Sequence, residues 1–424
     1  MKSLIGLILG CAVTLSTAAE FNAQVGPRPY YLIEQMAASD LKTRLQSCAE
    51  GPFPANDFSI SHRGAPLQFP EHTKESYQAA ARMGAGIIEC DVTFTADGEL
   101  VCRHAQCDLH ATTDIVARPE LRDKCHVPPE FDASGELRNA AQITCCATDL
   151  ELAEFRSLCG KMDGFNQHAR DVEQYLAGTP AYRTELYSSC ATLLSHADSI
   201  ALLKTLGVKF TPELKGVQTN ADGRPALPEA GFGESGLNQQ RYANQLIADY
   251  QAAKVNPGDV FVQSFDFDDI IFWIDEHPEY ARQAVYLINQ PEDLAPSELR
   301  AHFAKLHHRG VRILGVPIGA LLSLDEQGSL IASDYARAAR HSGLELIAWS
   351  AERSGRMRED VKPRGGGFYY SSINAAIADD GAVMEILHAL ATQAGVLGVF
   401  SDWPGTVTYY ASCLSKRPTA GAER

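Results

Sequence analysis

Eight short runs rich in β-branched and aromatic residues are spaced along the chain, at 58–60, 87–92, 208–214, 260–265, 284–288, 311–316, 344–349 and 396–401. Between them lie longer segments of helical pattern, among them 74–83, 199–206, 239–254, 298–308 and 333–341. Gly84, Gly207, Gly310 and Gly343 each fall just before the next strand, where a helix stop is expected. Parallel strands joined by helices have both sheet faces covered, and eight such units close into a ring. The pattern predicts an α/β fold, a TIM-type (β/α)8 barrel.

The second strand departs from simple alternation. It continues Thr93-Phe94-Thr95-Ala96-Asp97-Gly98-Glu99-Leu100-Val101-Cys102-Arg103-His104, and Asp-Gly between two strand-like runs signals a β-hairpin. With Asp97-Gly98 as a two-residue loop, Ala96 pairs with Glu99 and Asp91 stands opposite His104. Because side chains alternate faces, this register puts Glu89, Asp91 and His104 on one side and Cys90 on the other. They would meet at the carboxyl end of a barrel strand, where such folds keep their active sites. From 108 to about 205 the chain has mixed polar character and is broken by prolines at 119, 128, 129 and 180, which predicts a loop-rich insertion held by disulfides or a separate small domain, whose position after the hairpin would make it a lid over the barrel mouth. Lys362 to Gly367 reads as a mobile loop after the seventh strand. The Phe368-Tyr369-Tyr370 that follows argues against a helix N-terminus and so against a phosphate cradle.

The start of the chain has the layout of a secretory signal. Met1-Lys2 precedes an apolar run from Leu4 to Leu15, then Ser16-Thr17-Ala18-Ala19, with cleavage expected after Ala19. A lipoprotein site at Cys11 is disfavoured by the short run and by bulky Leu9. No other stretch reaches the ~18 apolar residues of a membrane span. The chain therefore divides into a signal peptide (1–19), an N-terminal extension (20–57), a barrel (58–412, with the insertion at 108–205) and a tail (413–424), and is expected to be secreted or periplasmic. Of the 11 cysteines, Cys11 lies in the leader, and an even remainder in an exported chain fits disulfides. Cys107, Cys125, Cys145, Cys146, Cys159 and Cys190 would staple the insertion, with pairings left open; no CxxC pair supports a zinc site. The net charge of -16 argues against nucleic acid or an anionic membrane as a bulk partner.

The chemistry-bearing residues sit at strand ends. The first strand ends Ile60-Ser61-His62-Arg63-Gly64, followed by Pro70-Glu71-His72-Thr73. A histidine there can exchange protons near neutral pH, a guanidinium can grip phosphate, and glycine lets a ligand approach the backbone. Glu89 and Asp91 alternate with apolar residues inside a buried strand, which is costly unless a cation compensates them; the pair is a candidate hard-metal site. Glu213 and Lys215 repeat the alternation at the third strand, a pattern that an ordinary rim ion pair would also produce. Phe265 and Trp349 fit either a pocket wall or barrel core.

Taken together, His62-Arg63-Gly64, the 70–73 block, Glu89-x-Asp91, the Asp97-Gly98 turn into His104, Leu109 through Thr112-Thr113, Glu213-x-Lys215, Gln263-Ser264-Phe265, Trp349 and Ser401-Asp402-x-Pro404 resemble the glycerophosphodiester phosphodiesterase family in order and spacing. The resemblance implies an enzyme that hydrolyses glycerophosphodiesters, its small-molecule substrates, to sn-glycerol 3-phosphate and an alcohol. It implies that Glu89, Asp91 and Glu213 bind Ca²⁺ or Mg²⁺, that His62 and His104 act as general acid and base, and that Arg63 and Lys215 stabilise phosphoryl charge. Phe265 and Trp349 would border the substrate, and Glu71 would brace the first loop. The chain departs from the family at His72, where asparagine is usual, and at Ala105, where an aspartate that could orient His104 is usual; Asp108 is the candidate replacement. Two readings compete. A phospholipase D or sphingomyelinase D-like lipid phosphodiesterase would use the same barrel, but no loop plainly offers the apolar or basic surface it needs. A non-catalytic binding protein is disfavoured by the intact histidines, acids and cations.

Overall fold

The computed structural model describes residues 21–184, 190–216, 232, 235–291 and 294–415. The expected signal peptide and Cys11 lie outside these residues. All eight predicted strands form: β1 (Asn56–Ser61), β2 (Ala85–Phe94), β3 (Lys209–Leu214), β4 (Gln263–Ser264), β5 (Val285–Leu287), β6 (Ile313–Pro317), β7 (Glu345–Ala351) and β8 (Gly398–Ser401). They pair in parallel in chain order, and β8 returns to β1, so the sheet closes. The TIM-type barrel expected from the alternation is the observed fold.

Period-two alternation sorts the strand residues into two layers. Ile88, Cys90, Val92, Phe210, Leu214, Val262, Ala348 and Val399 point outward and pack under the helices. Ile60, Ile87, Val285, Leu287, Ile313, Ile347 and Phe400 point inward and fill the barrel as a separate apolar plug. Each inward position two residues further along stands above that plug. Ile60 is thus followed by His62, Ile87 by Glu89 and Asp91, Ile347 by Trp349, and Phe400 by Asp402. The barrel floor is apolar and its carboxyl rim carries the chemistry for the same geometric reason.

The hairpin after β2 forms with a different register from the expected one. The return strand Leu100–Cys102 pairs Val92 with Cys102 and Phe94 with Leu100, and the Arg103 N–H donates to the Asp91 carbonyl at 2.8 Å. Arg103, not His104, therefore stands opposite Asp91. The loop has three residues, Ala96-Asp97-Gly98, closed by the Thr95 N–H donating to the Glu99 carbonyl at 3.0 Å. Gly98 takes a φ of +77°, the left-handed third position that such loops require. His104 lies past the end of the return strand, where the pleat no longer dictates its direction.

Residues after His104 build a second hydrophobic cluster that includes Leu109, Ile115, Ile143, Leu150, Phe155 and Tyr175. Its helices, such as Leu109–Thr112 and Val172–Leu176, are too short to be stable alone, so covalent staples matter. The six cysteines of this segment pair among themselves as Cys107–Cys146, Cys125–Cys145 and Cys159–Cys190. The helix His196–Leu206, capped by Ser195 and ended by left-handed Gly207, returns the chain to the barrel. Lys362 to Gly367 is not the open loop expected: Lys362–Arg364 is one helical turn, and a second, Gly367–Tyr370, starts at the last of the three glycines.

Ahead of β1, helices Arg28–Gln35 and Asp40–Gln46 pack on the final helix, Pro404–Ser415, and Cys48 is bonded to Cys413 across 365 residues of sequence. Cys90–Cys102 pins the hairpin on its outer face. Among the described residues, no helix is long and apolar enough to cross a membrane. Replacing both Cys48 and Cys413 by serine is expected to lower unfolding stability by about 2–4 kcal/mol, since the bond closes almost the whole chain. A urea titration reads this as an earlier midpoint; an unchanged midpoint would contradict it.

Candidate active site

The carboxyl rim of the barrel opens into a cavity of about 1030 Å³. Nine of the ten residues predicted from sequence line it: His62, Arg63, Glu71, Glu89, His104, Glu213, Lys215, Phe265 and Trp349. Asp91 lies just beneath the wall, 1% exposed. The insertion closes one side with His110, Thr112, Asp163 and Phe165, as its position after the hairpin predicted.

Glu89, Asp91 and Glu213 come from neighbouring strands, with Glu89 beside Thr211 and Asp91 beside Glu213 in the parallel register. One carboxylate oxygen from each lies within 4.8 Å of the others. At an effective dielectric of about 20, two unit charges at that separation repel by roughly 3–4 kcal/mol. Local donors offset part of this. Glu89 accepts from Gln263 Nε2 at 2.9 Å and from the Arg63 N–H at 3.0 Å, and Glu213 accepts from Lys215 Nζ at 2.6 Å. His72 stands 2.8 Å by Nε2 from Asp91 Oδ2 and 3.0 Å by Nδ1 from the Tyr77 hydroxyl, so the departure from asparagine places a hydrogen-bonding ring beneath the acids. The compensation is incomplete. Burial, with Asp91 and Glu213 adding, drives the Glu89 carboxyl well above the usual carboxylate range. Burial pushes Glu213 up to about 8, against the pull of Lys215. Asp91 alone is held well below that range, by Lys215 and His72 acting against burial. Its Oδ1 is buried with no hydrogen-bond partner. Three convergent oxygen donors with an unpartnered buried atom among them fit a hard divalent cation.

The histidines flank this cluster. His62 Nδ1 is 2.5 Å from Asp402 Oδ1, which leaves Nε2 for chemistry. Burial, and next Arg63, lower His62 to about 4 against the opposing pull of Asp402, so the ring is neutral at pH 7. His104 is also held well below the usual histidine range, by burial and then by Arg63 and Lys215. Asp108, the candidate replacement for the missing aspartate, accepts from the Ala105 N–H at 3.2 Å and so braces the turn that carries His104. Burial raises Asp108 to about 6.

Arg63 adopts a left-handed backbone (φ 58°) and Gly64 follows at φ 98°, a turn that sends the guanidinium back over the site. A Cβ on Gly64 would sit 2.1 Å from Ser76 Oγ, so no side chain fits there. Arg63 Nη1 donates to both Glu71 oxygens, at 3.3 and 3.2 Å, and Glu71 also pairs with Arg353 at 3.4 Å. Glu71 thus braces two cations, which is more than the single-loop role expected of it. Opposite lies an aromatic wall: Trp349 packs edge-on to Phe265 at 5.8 Å and tilted on Phe368 at 5.7 Å, with Lys215 over the Phe265 ring.

Sequence reasoning quoted Asp402 and Gln263 within motifs but gave them no role, and it missed Arg353 and Arg183. Inward alternation was the available signal for Asp402, two positions past Phe400, and for Gln263, two past Phe261. Arg353 follows the end of β7 and Arg183 belongs to the insertion; neither lies on a strand, and no periodicity marks them.

A parallel barrel whose rim holds convergent carboxylates, cations and two histidines suits hydrolysis of a phosphate diester. Residues 62–406 match the glycerophosphoryl diester phosphodiesterase family. The chain belongs to this family and is an enzyme of that class, which hydrolyses glycerophosphodiesters. A protein of Arthroderma benhamiae named an extracellular protein is 45% identical over 258 residues, 60% of this chain and 100% of that one. A glycerophosphodiester phosphodiesterase of Arabidopsis thaliana is 31% identical over 102 residues, 24% of this chain and 25% of that protein. The crystal structure of a Silicibacter pomeroyi protein assigned as a glycerophosphoryl diester phosphodiesterase superposes with a TM-score of 0.52 at 17% identity, covering 86% of this chain and 95% of that one, a likeness of fold.

Replacing Asp402 by asparagine keeps its shape but removes the charge that steadies His62. We expect kcat on a glycerophosphodiester to fall by about ten- to a hundred-fold with KM little changed. Steady-state kinetics beside wild type check this, and an unaltered kcat would remove Asp402 from the site.

Proposed function

We propose that the enzyme cleaves glycerophosphodiesters to sn-glycerol 3-phosphate and an alcohol in a divalent-cation-dependent reaction, with His62 and His104 exchanging protons. The observation that carries this reading is the convergence of Glu89, Asp91 and Glu213 to within 4.8 Å in one cavity with both histidines. These three acids would hold Ca²⁺ or Mg²⁺, which when bound neutralises phosphate charge and can take a glycerol hydroxyl. Arg63 and Lys215, which line the cavity, would stabilise negative charge developing on the phosphoryl oxygens. One neutral histidine takes the proton of the attacking hydroxyl or water, and the other, protonated as the negative phosphodiester enters the site, gives its proton to the leaving alkoxide. With Nδ1 tied to Asp402, His62 presents Nε2 as its exchanging atom, and the carboxylate stabilises the imidazolium once formed. Phe265 and Trp349 would flank the departing alcohol, with Glu71 holding Arg63 in place.

We read the protein as exported. Five disulfides and the 45% identity to a protein named extracellular support this.

Purified protein incubated with glycerophosphocholine, glycerophosphoethanolamine or lysophospholipid, with and without chelator, tests the reaction through release of glycerol 3-phosphate from the first two and of the free head-group alcohol from all three. Chelator is expected to abolish release and His62→Ala to lower it by at least about a hundred-fold. Release unaffected by chelator would sink the metal assignment, and turnover of lysophospholipid alone would favour a lipid phosphodiesterase.

The acidic cluster generates a second expectation. Glu213, pushed up to about 8 before metal binds, must give up its proton on loading. Cation affinity should therefore rise with pH up to at least that value, because below it each bound ion displaces protons from Glu213 and from Glu89, which burial also raises. Calorimetric titration with Ca²⁺ in buffers of different ionisation enthalpy measures the released protons; affinity that is flat across about pH 6 to 8 would contradict it.

A further inference from the structure

Asp402 holds His62 through one oxygen, and its other oxygen is gripped from two directions. Arg353 Nη1, from the segment after β7, donates to Oδ2 at 3.1 Å, and Arg183 Nη2, from the insertion, donates at 2.9 Å. Asp163, also in the insertion, pairs with both guanidiniums, through Arg183 Nη1 and at 3.5 Å through Arg353 Nη2. Two anions and two cations alternate around a square, so each carboxylate faces two positive partners. Burying an arginine is costly unless such partners compensate it.

Arg183 is 4% exposed and does not line the cavity, whereas Asp163 and Arg353 do. Its guanidinium is engaged by Asp163 and Asp402. What it reaches is the carboxylate that orients the histidine. Two planar donors converging on one oxygen fix the plane of a carboxylate more closely than one, and that plane aims Oδ1 at the imidazole. Arg183 and Asp163 both lie between Cys159 and Cys190, whose bond closes this part of the insertion.

We propose that Arg183 is a positioning residue of the reaction: the insertion reaches into the barrel rim, sets Asp402, and through it His62. The insertion is then part of the catalytic unit as well as a wall of the cavity. The proposal rests on the reading of His62 as a proton carrier, and the experiment separates the two.

The test is a double-mutant cycle on the full oxidised protein with glycerophosphocholine: wild type, Arg183→Ala, Asp402→Asn and the pair, with kcat and KM measured separately. Arg183→Ala should lower kcat about ten- to a hundred-fold with KM changed less than about threefold, and Arg183→Lys should recover part of the loss. In the Asp402→Asn background, Arg183→Ala should cost almost nothing more, because its route to the histidine is already cut. Additive losses, a loss confined to KM, or wild-type kcat would each overturn the proposal. If thermal melting shows that Arg183→Ala does not fold, Arg183→Lys and Asp163→Asn carry the same cycle, and additivity with Asp402→Asn is again the overturning result. His62→Ala run alongside decides the premise. Full activity there removes the proton-carrier reading itself, whereas an inactive His62→Ala beside a wild-type Arg183→Ala removes this proposal alone.

Discussion

Three carboxylates converge within 4.8 Å at the rim of a closed barrel, and much of the surrounding construction answers that concentration of negative charge. Arg63 is bent back over them by a left-handed turn, Lys215 follows the end of the strand that carries Glu213, and His72 and Gln263 supply hydrogen bonds from below and beside. Their sum does not neutralise the cluster, because burial still favours protonated Glu89 and Glu213. A site whose acids keep protons for want of counter-charge, with convergent oxygen donors and a buried unpartnered oxygen, fits a hard cation. Burial and then Arg63 depress both histidines, and Lys215 adds to this at His104, so the acids and the histidines share their cationic neighbours.

The barrel was legible because closure makes alternation unambiguous. A strand whose outward face packs under helices and whose inward face fills a narrow lumen has no freedom to slip by one residue. Ile87, Glu89 and Asp91 could therefore be assigned to one face from spacing alone, and so could Thr211 and Glu213. The hairpin beyond the rim lacks that double restraint. There the loop type decides, and left-handed Gly98 adds the residue that shifts Arg103 into the place expected of His104. His104 still lines the cavity, but the turn braced by Asp108 carries it there, not the pleat.

What escaped the sequence was the support behind the reacting groups. Asp402 was visible as a motif, but its role depends on Arg353 and Arg183, which arrive from an irregular segment and from an insertion with its own hydrophobic core. Contacts spanning 49 and 219 residues between segments without periodicity leave no local pattern to read. The cysteine count was informative only in the aggregate: it located the insertion's staples without revealing which of its cysteines meet.

The bond between Cys48 and Cys413 sets an order of assembly. The other four pairs are separated by 12, 39, 20 and 31 residues, so each can close soon after its second cysteine emerges. Cys48 emerges before all of them and must wait, as a lone thiol, for the helix Pro404–Ser415 that carries Cys413. Throughout that interval every later cysteine is a possible wrong partner. Early closure of the local pairs withdraws those competitors one by one, leaving Cys413 as the remaining match when the C-terminal helix docks.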